Sequence, residues 1–343
     1  MKLLRASLKG VGVSVLAVAL LFTAACKRGR GKVLEVNYVS APQVNLRDRL
    51  SAVYNKVGTV KNGDRVEVLE HQKRFVRVRT ASGAEGWIEQ RYLVDQAVFD
   101  GFTKLSQEVQ NATVQAHGTT RNDTNLHLTP GRETEHLYQL PSGEKLLLYK
   151  RATAEKSPAA AAPVTQTVGQ KKDEPKTILE DWWLVRDSQQ HVGWVLSRMV
   201  DVDVPLDIAQ YAEGQRFVAL FALNEVQDGD KKVPQYLAVL SEPHDGLPYD
   251  YDQVRVFTWN THRHRYETAY REHGLEGALP VTVGREDFDK EGTLPVFVLR
   301  VNDANGQLVE RKYKLNTPIV RRVLAPGEQK QAAAPVHHNK KHR

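Results

Sequence analysis

Histidine, aspartate and glutamate are the residues here that could do acid–base or metal chemistry, and their spacing serves it poorly. His262 and His264 stand two apart, so on a strand both would face one side. Zinc needs three or four ligands at suitable spacing. His244-Asp245 and His273 are near in sequence, but there is no HExxH and no His-x-x-x-Asp partner. Asp250 with Asp252 and Glu286 with Asp287 are the close acid pairs that could act as general acid and base. Both pairs read as solvated turn residues. Neither G-x-S-x-G nor a phosphate loop occurs. The expectation is a non-catalytic protein with no catalytic residue, no metal and no cofactor. The alternatives are a hydrolase whose site lies within 203–324 and draws on His262, His264, Asp250 or Asp252, or a purely structural part of an envelope complex.

Cysteine chemistry is narrower still. Cys26 is the one cysteine among 343 residues, so neither an intrachain disulfide nor a Cys-based zinc site can form. What surrounds it gives it a use. Lys2, Arg5 and Lys9 precede an apolar run from Val11 to Phe22, the length of a signal-peptide core and short for a membrane span. The run ends in Thr23-Ala24-Ala25-Cys26, which resembles a bacterial lipobox with Thr23 where Leu is usual. That resemblance implies cleavage after Ala25, diacylglyceryl attachment to Cys26 and N-acylation, giving an exported protein anchored to an envelope membrane. Plain secretion with a free thiol is the other reading. Lys27 is not the Asp that retains enteric lipoproteins at the inner membrane, which points to the outer one where it exists.

The net charge of +7 sits in the tails. Residues 1–25 hold +3, 26–32 hold +4 and 327–343 hold +3, leaving −3 on everything between. A basic stretch beside a lipid anchor suits anionic headgroups. Export and a mildly acidic body argue against nucleic acid as a partner.

Binding residues are then sought among the aromatics, and these fall on a repeated frame. Asn45-Leu46-Arg47 and Gly63-Asp64 return 80 residues later as Asn125-Leu126-His127 and Gly143-Glu144. Phe75 to Arg79 and Gly86-Trp87-Ile88 return 107 residues later as Trp182 to Arg186 and Gly193-Trp194-Val195. One unit therefore occurs twice, the second copy carrying an insertion of 27 residues. Val66, Val68, Val76 and Val78 alternate with polar residues, the period of half-buried strands.

Ala41, Asn45-Leu46-Arg47, Gly58, Gly63-Asp64, Val66, Val68, Val76, Val78, Gly86-Trp87-Ile88 and Leu93 resemble the bacterial SH3 (SH3b) pattern. The second copy departs from it at His127, at Glu144 and in its insertion. The resemblance implies two small β-barrels, over 34–95 and 113–201, and more loosely a partner such as peptidoglycan peptides or an envelope protein. Trp87 and Tyr92, with Tyr38 or Tyr54, either fill a core or line an aromatic groove suited to peptides and amino sugars. Arg47 either pins the long loop that it opens or meets an acidic ligand group. In the second copy, adjacent Trp182 and Trp183 must face opposite sides of a strand. Trp183 is taken as the binding candidate.

The whole chain reads as mainly β: two small SH3-like barrels joined by a helix, then an all-β, sandwich-like domain. Residues 1–25 are the signal peptide and 26–33 a basic linker. Phe99, Phe102, Leu105 and Val109 recur at helical spacing, predicting a connecting helix over 96–112. The insertion, about 151–180, has little apolar content and reads as disordered. Eight apolar runs with polar turns fill 203–324. Residues 325–343 read as a loose tail.

Overall fold

The structure, a computed structural model, describes residues 32–156 and 178–324. The expected signal peptide, Cys26, most of the insertion and the residues after 324 lie outside the described residues. The described chain is mainly β and forms three antiparallel sheets of seven strands each. It divides into two compact units, residues up to 39 with 43–93, and residues 40–42 with 94 onwards.

The first unit is built from β1 (Glu35–Val39), β2 (Gln43–Arg47), β3 (Lys56–Lys61), β4 (Arg65–Gln72), β5 (Phe75–Thr80) and β6 (Glu85–Glu89). A 3-10 turn over Gln90–Tyr92 leads into β7 (Leu93–Asp95), and the sheet order is β3-β2-β6-β5-β4-β1-β7. The alternation seen in the sequence sets its core. Val39, Leu46, Val60, Val66, Val68, Val76, Val78 and Ile88 pack together, while Asn45, Phe75, Arg77 and Trp87 fall on the other side of their strands. Gly86 is required by packing. A Cβ there would lie 2.7 Å from Leu46 Cβ and 3.1 Å from the Arg47 carbonyl oxygen.

The second unit opens with α1 (Gln96–Glu108), capped by Asp95, whose carboxylate accepts from the Val98 N–H at 2.9 Å. Phe102 is its buried residue, and Val109 just beyond it is buried too. Seven strands follow: β8 (Ala116–Thr120), β9 (Thr124–His127), β10 (His136–Leu140), β11 (Lys145–Glu155), β12 (Leu179–Arg186), β13 (Val192–Leu196) and β14 (Val200–Val202). Their order, β10-β9-β13-β12-β11-β8-β14, is that of the first sheet strand for strand. The close glycine recurs as well. A Cβ on Gly193 would meet Leu126 Cβ at 2.9 Å and the His127 carbonyl oxygen at 3.1 Å. The insertion is shorter at its ends than its composition predicts. β11 and β12 stay paired from Ala152↔Trp182 out to Glu155↔Leu179. Arg151 and Glu180 are buried, held by Asp181 at 2.6 Å and by Arg132 at 2.6 Å respectively.

A short helix α2 (Leu206–Ala209) precedes the last sheet. Its strands are β15 (Arg216–Asp228), β16 (Lys231–Ser241), β17 (Tyr251–Asn260), β18 (Arg265–Asp287), β19 (Thr293–Asn302), β20 (Leu308–Asn316) and β21 (Ile319–Val323), each beside its neighbours in sequence. The domain is all-β as expected, laid out as one meander. Two of the eight apolar runs merge in β18, which continues through the polar stretch between them. Register shifts against β17 and β19 absorb the irregularity.

Polar groups tie this sheet to the second barrel. The shift between Ala278 and Thr282 takes Val281 out of the ladder with β19. Gln115 replaces the missing partner: its Oε1 accepts from Val281 N–H at 2.8 Å, and its Nε2 donates to the Val281 carbonyl at 3.2 Å. Nearby, fully buried Asp181 accepts from Arg151 at 2.6 Å, Arg216 at 3.0 Å and the Gly246 N–H at 3.1 Å. A carboxylate so far from water requires such partners.

Candidate functional site

The outward side of β2, β5 and β6 in the first barrel gathers aromatic rings and guanidinium groups. Arg47 lies opposite Trp87 in the pairing of β2 with β6, and Arg77 lies opposite Trp87 on the other side. Phe75 lies opposite Glu89. The Arg47 guanidinium sits 4.4 Å from the Tyr54 ring centroid and 5.3 Å from that of Phe75, with Glu89 at 3.9 Å. Trp87 and Phe75 are half-buried, and Tyr54 remains exposed. A cation over aromatic faces holds its position without a hydrogen-bonded carboxylate. Its N–H groups can therefore meet an acceptor from solvent.

The loop carrying Tyr54 is fastened at its base. Asp48 accepts from the Asn55 backbone N–H at 2.8 Å and the Asn55 side chain at 3.0 Å, and Arg49 pairs with it at 2.9 Å. The bond from Arg49, then the Asn55 backbone bond, hold the Asp48 carboxyl down at about 2. The clasp is therefore ionised at any physiological pH. Arg47 is placed by rings rather than by backbone carbonyls, which leaves its N–H groups turned to the open face.

Five ligand-binding residues were expected from sequence, and they separate. Tyr54 and Trp87 share the Arg47 neighbourhood. Tyr92 packs partly against the core, with Arg91 donating to its hydroxyl at 2.8 Å and lying 4.8 Å from its ring. Tyr38 is only 7% exposed on β1, with β4 and β5 between it and β6. It is paired with Arg65 on the side of β1 opposite core residue Val39, and it is buried there, so it lines no groove with Trp87. Trp183 faces the opposite way from that expected, though it lines a cavity of the second unit. It stands at the position of Val76, on the inward face, and is 4% exposed. Trp182 is the outward member of the pair, yet it too is buried, at 2%.

The reason is that the second barrel has lost this face to its own chain. Trp182, Leu184 and Trp194 occupy the places of Phe75, Arg77 and Trp87. They form one apolar cluster with Val109 and Tyr149, joined by Leu105 and Val114. The end of α1 thus lies over them. His127 stands where Arg47 does, its ring 5.2 Å from that of Trp182. Burial first, and the nearby His136 second, press the His127 pKa down to about 4. The site that carries a cation in one barrel carries a neutral ring in the other.

The residues proposed for hydrolysis do not meet. Asp250 accepts from the Leu279 N–H at 2.8 Å near the start of β17, where burial raises its pKa. Burial also raises that of Asp252. His262 and His264 lie in the turn beyond the far end of that ten-residue strand, roughly 30 Å away at 3.3 Å per residue. His264 pairs instead with Asp228 at 2.7 Å, and Trp259 Nε1 donates to the same oxygen at 2.7 Å. Glu286 is occupied by Lys312 at 2.7 Å. Among the described residues no three His, Cys, Asp or Glu are grouped to hold a metal ion. The sequence signal that went unused was Phe75, whose place beside Trp87 follows from strand alternation alone.

Comparison with known proteins assigns part of the chain. Residues 42–94 match the bacterial SH3 domain family, so the first barrel contains one such domain. An NlpC/P60 family protein of Bacillus cereus ATCC 10987 aligns at 8% identity, over 82% of this chain and 95% of that one, with a TM-score of 0.22. NlpC2 and NlpC1 of Trichomonas vaginalis each align at 9% identity over 86% of this chain. They are covered to 97% and 92%, with TM-scores of 0.17 and 0.16. Scores so low establish no shared fold. No curated protein matches the sequence. No helix among the described residues is long and apolar enough to cross a membrane.

Proposed function

We propose that this is a non-catalytic, lipid-anchored protein of the cell envelope that holds peptidoglycan peptides through its first barrel. The supporting observation is the contrast between two equivalent faces. Around Trp87 the face keeps Arg47, Tyr54 and Phe75 accessible. Around Trp194 the chain has filled the same place itself. Stem peptides carry carboxylates and short apolar side chains, which suit guanidinium groups set among rings. The second barrel is a second SH3-like copy turned to structural use, fixing the C-terminal sheet. Cys26, acylated after cleavage behind Ala25, tethers the assembly, and the basic residues after it rest on the lipid surface. An envelope protein segment is the other ligand of this class. The soluble chain 27–343 should co-sediment with purified peptidoglycan. Failure to pellet removes the wall as ligand, and recovery of a stoichiometric protein partner would replace it. Mass analysis of the mature N-terminus tests the anchor: an unmodified Cys26 refutes it.

A further inference from the structure

A cavity of about 400 Å³ lies in the second unit, where the second barrel meets the C-terminal sheet. From the barrel it is lined by Arg121, Arg151, Trp183, Arg198 and Asp201, with Val200 and Val202 beside them. Arg216, Phe217, Val218, Pro243 and Asp245 close it from the sheet. Its size falls in the range of small-molecule sites, which favour seams between modules. Four guanidinium groups against two carboxylates make the lining net positive.

The four arginines are not alike. Arg151 and Arg216 are committed to the buried Asp181. Arg121 and Arg198 stand at the rim with more than half of each side chain exposed. Arg121 pairs with Asp201 at 2.6 Å, but both partners face solvent, so that pair costs little to open. Arg198 reaches Glu180 only at 3.9 Å, beyond hydrogen-bond distance. Both Glu180 oxygens are already taken by Arg132, at 2.7 and 2.6 Å. Arg198 is thus a cation with no hydrogen-bonded carboxylate, beside a wall formed by Trp183, Phe217 and three valines.

We propose that this cavity binds a small ligand that joins a carboxylate to an apolar body. Arg198 and Arg121 take the carboxylate in the planar, two-pronged manner that guanidinium favours. Trp183 and Phe217 receive the apolar part. This site is separate from the face around Trp87, and neither requires the other.

The test uses the soluble chain 27–343, titrated with 3-phenylpropanoate, its uncharged amide and inorganic phosphate. Binding is read by calorimetry and by tryptophan fluorescence. A fragment of this size is expected to bind at about millimolar strength. The carboxylate should bind at least tenfold more tightly than the amide. R198Q should weaken it about tenfold, whereas D201N should tighten it severalfold by freeing Arg121. A purely structural cluster would show no gain from D201N. The same titrations with W87A should be unchanged, which keeps this site distinct from the wall-binding one. No saturable binding of the carboxylate up to about 10 mM overturns the proposal, since that is tenfold above the expected strength. Equal binding of phosphate overturns the apolar half, and indifference to R198Q overturns the placement.

Discussion

Replacing Gln115 tests whether the seam inside the second unit is held as described. Its side chain bonds both backbone groups of Val281, and both residues are buried, at 1% and 0% exposure. Q115M keeps most of the volume but can neither accept from the Val281 N–H nor donate to its carbonyl. A buried backbone group left unpaired costs about 1–3 kcal/mol, so two cost roughly 2–6 kcal/mol. Methionine recovers some of this through apolar burial, leaving an expected loss of about 2–4 kcal/mol. Q115E should fare no better, since a carboxylate accepts from the N–H but cannot donate, and it brings a charge into the seam. The assay is urea unfolding of the soluble chain followed by tryptophan emission. Four of the five tryptophans belong to the second unit, so the signal reports on it. The transition should move to lower urea, and it should broaden or split if the barrel and sheet come apart. A shift worth less than about 1 kcal/mol for Q115M would refute the reasoning, because water would then be serving Val281 as well as Gln115 does.

Further expectations concern the repeat, the buried charges and pH. G86A and G193A should each cost about 1–3 kcal/mol, because the added methyl meets a leucine Cβ and a backbone oxygen that cannot yield. Differential scanning calorimetry should show G86A lowering the first unit's transition and G193A the second's; no change in either would mean the close approach is wrong. D181N strips the charge from an acceptor facing two arginines and should destabilise the second unit by about 3–5 kcal/mol in the same urea assay. His127, with a folded pKa of about 4 against an ordinary 6.5, takes up its proton more readily when unfolded. Its contribution is therefore complete above pH 6.5 and declines as pH falls towards 4. H127F should flatten that decline, and an NMR titration of the wild-type ring with a midpoint near 6.5 would contradict it.

Much of this architecture was legible because a repeated residue pattern and strand alternation are local signals. The constant offsets located Gly86 and Gly193, whose matching approaches to a leucine Cβ and a backbone oxygen explain why both barrels need glycine there. The eight apolar runs after Asp201 became seven strands only because β18 carries two of them, with register shifts against its neighbours. What sequence did not reveal depends on partners far along the chain. Gln115 meets Val281 across 166 positions, and Arg151 meets Asp250 across 99. Both arginine and glutamine look like surface residues until the opposing backbone is in place. The misassigned Trp183 was partly avoidable, since the offset of 107 sets it on Val76, already an inward position. The burial of Trp182 was not, because nothing local says that the end of α1 returns to cover it. Tyr38 fails similarly: whether a tyrosine on the outward side of a strand is open or buried depends on what distant parts of the chain cover it.

Quantitative co-sedimentation with purified sacculi, comparing W87A and R47A with H127F, addresses the central claim most directly. The two changes on the open face should each reduce pelleting about tenfold, as expected for aromatic and arginine anchors of a binding site. H127F, at the equivalent position beside the buried Trp182, should pellet like the unaltered chain. Full pelleting by W87A and R47A, or an equal loss with H127F, would contradict the assignment of binding to the first barrel.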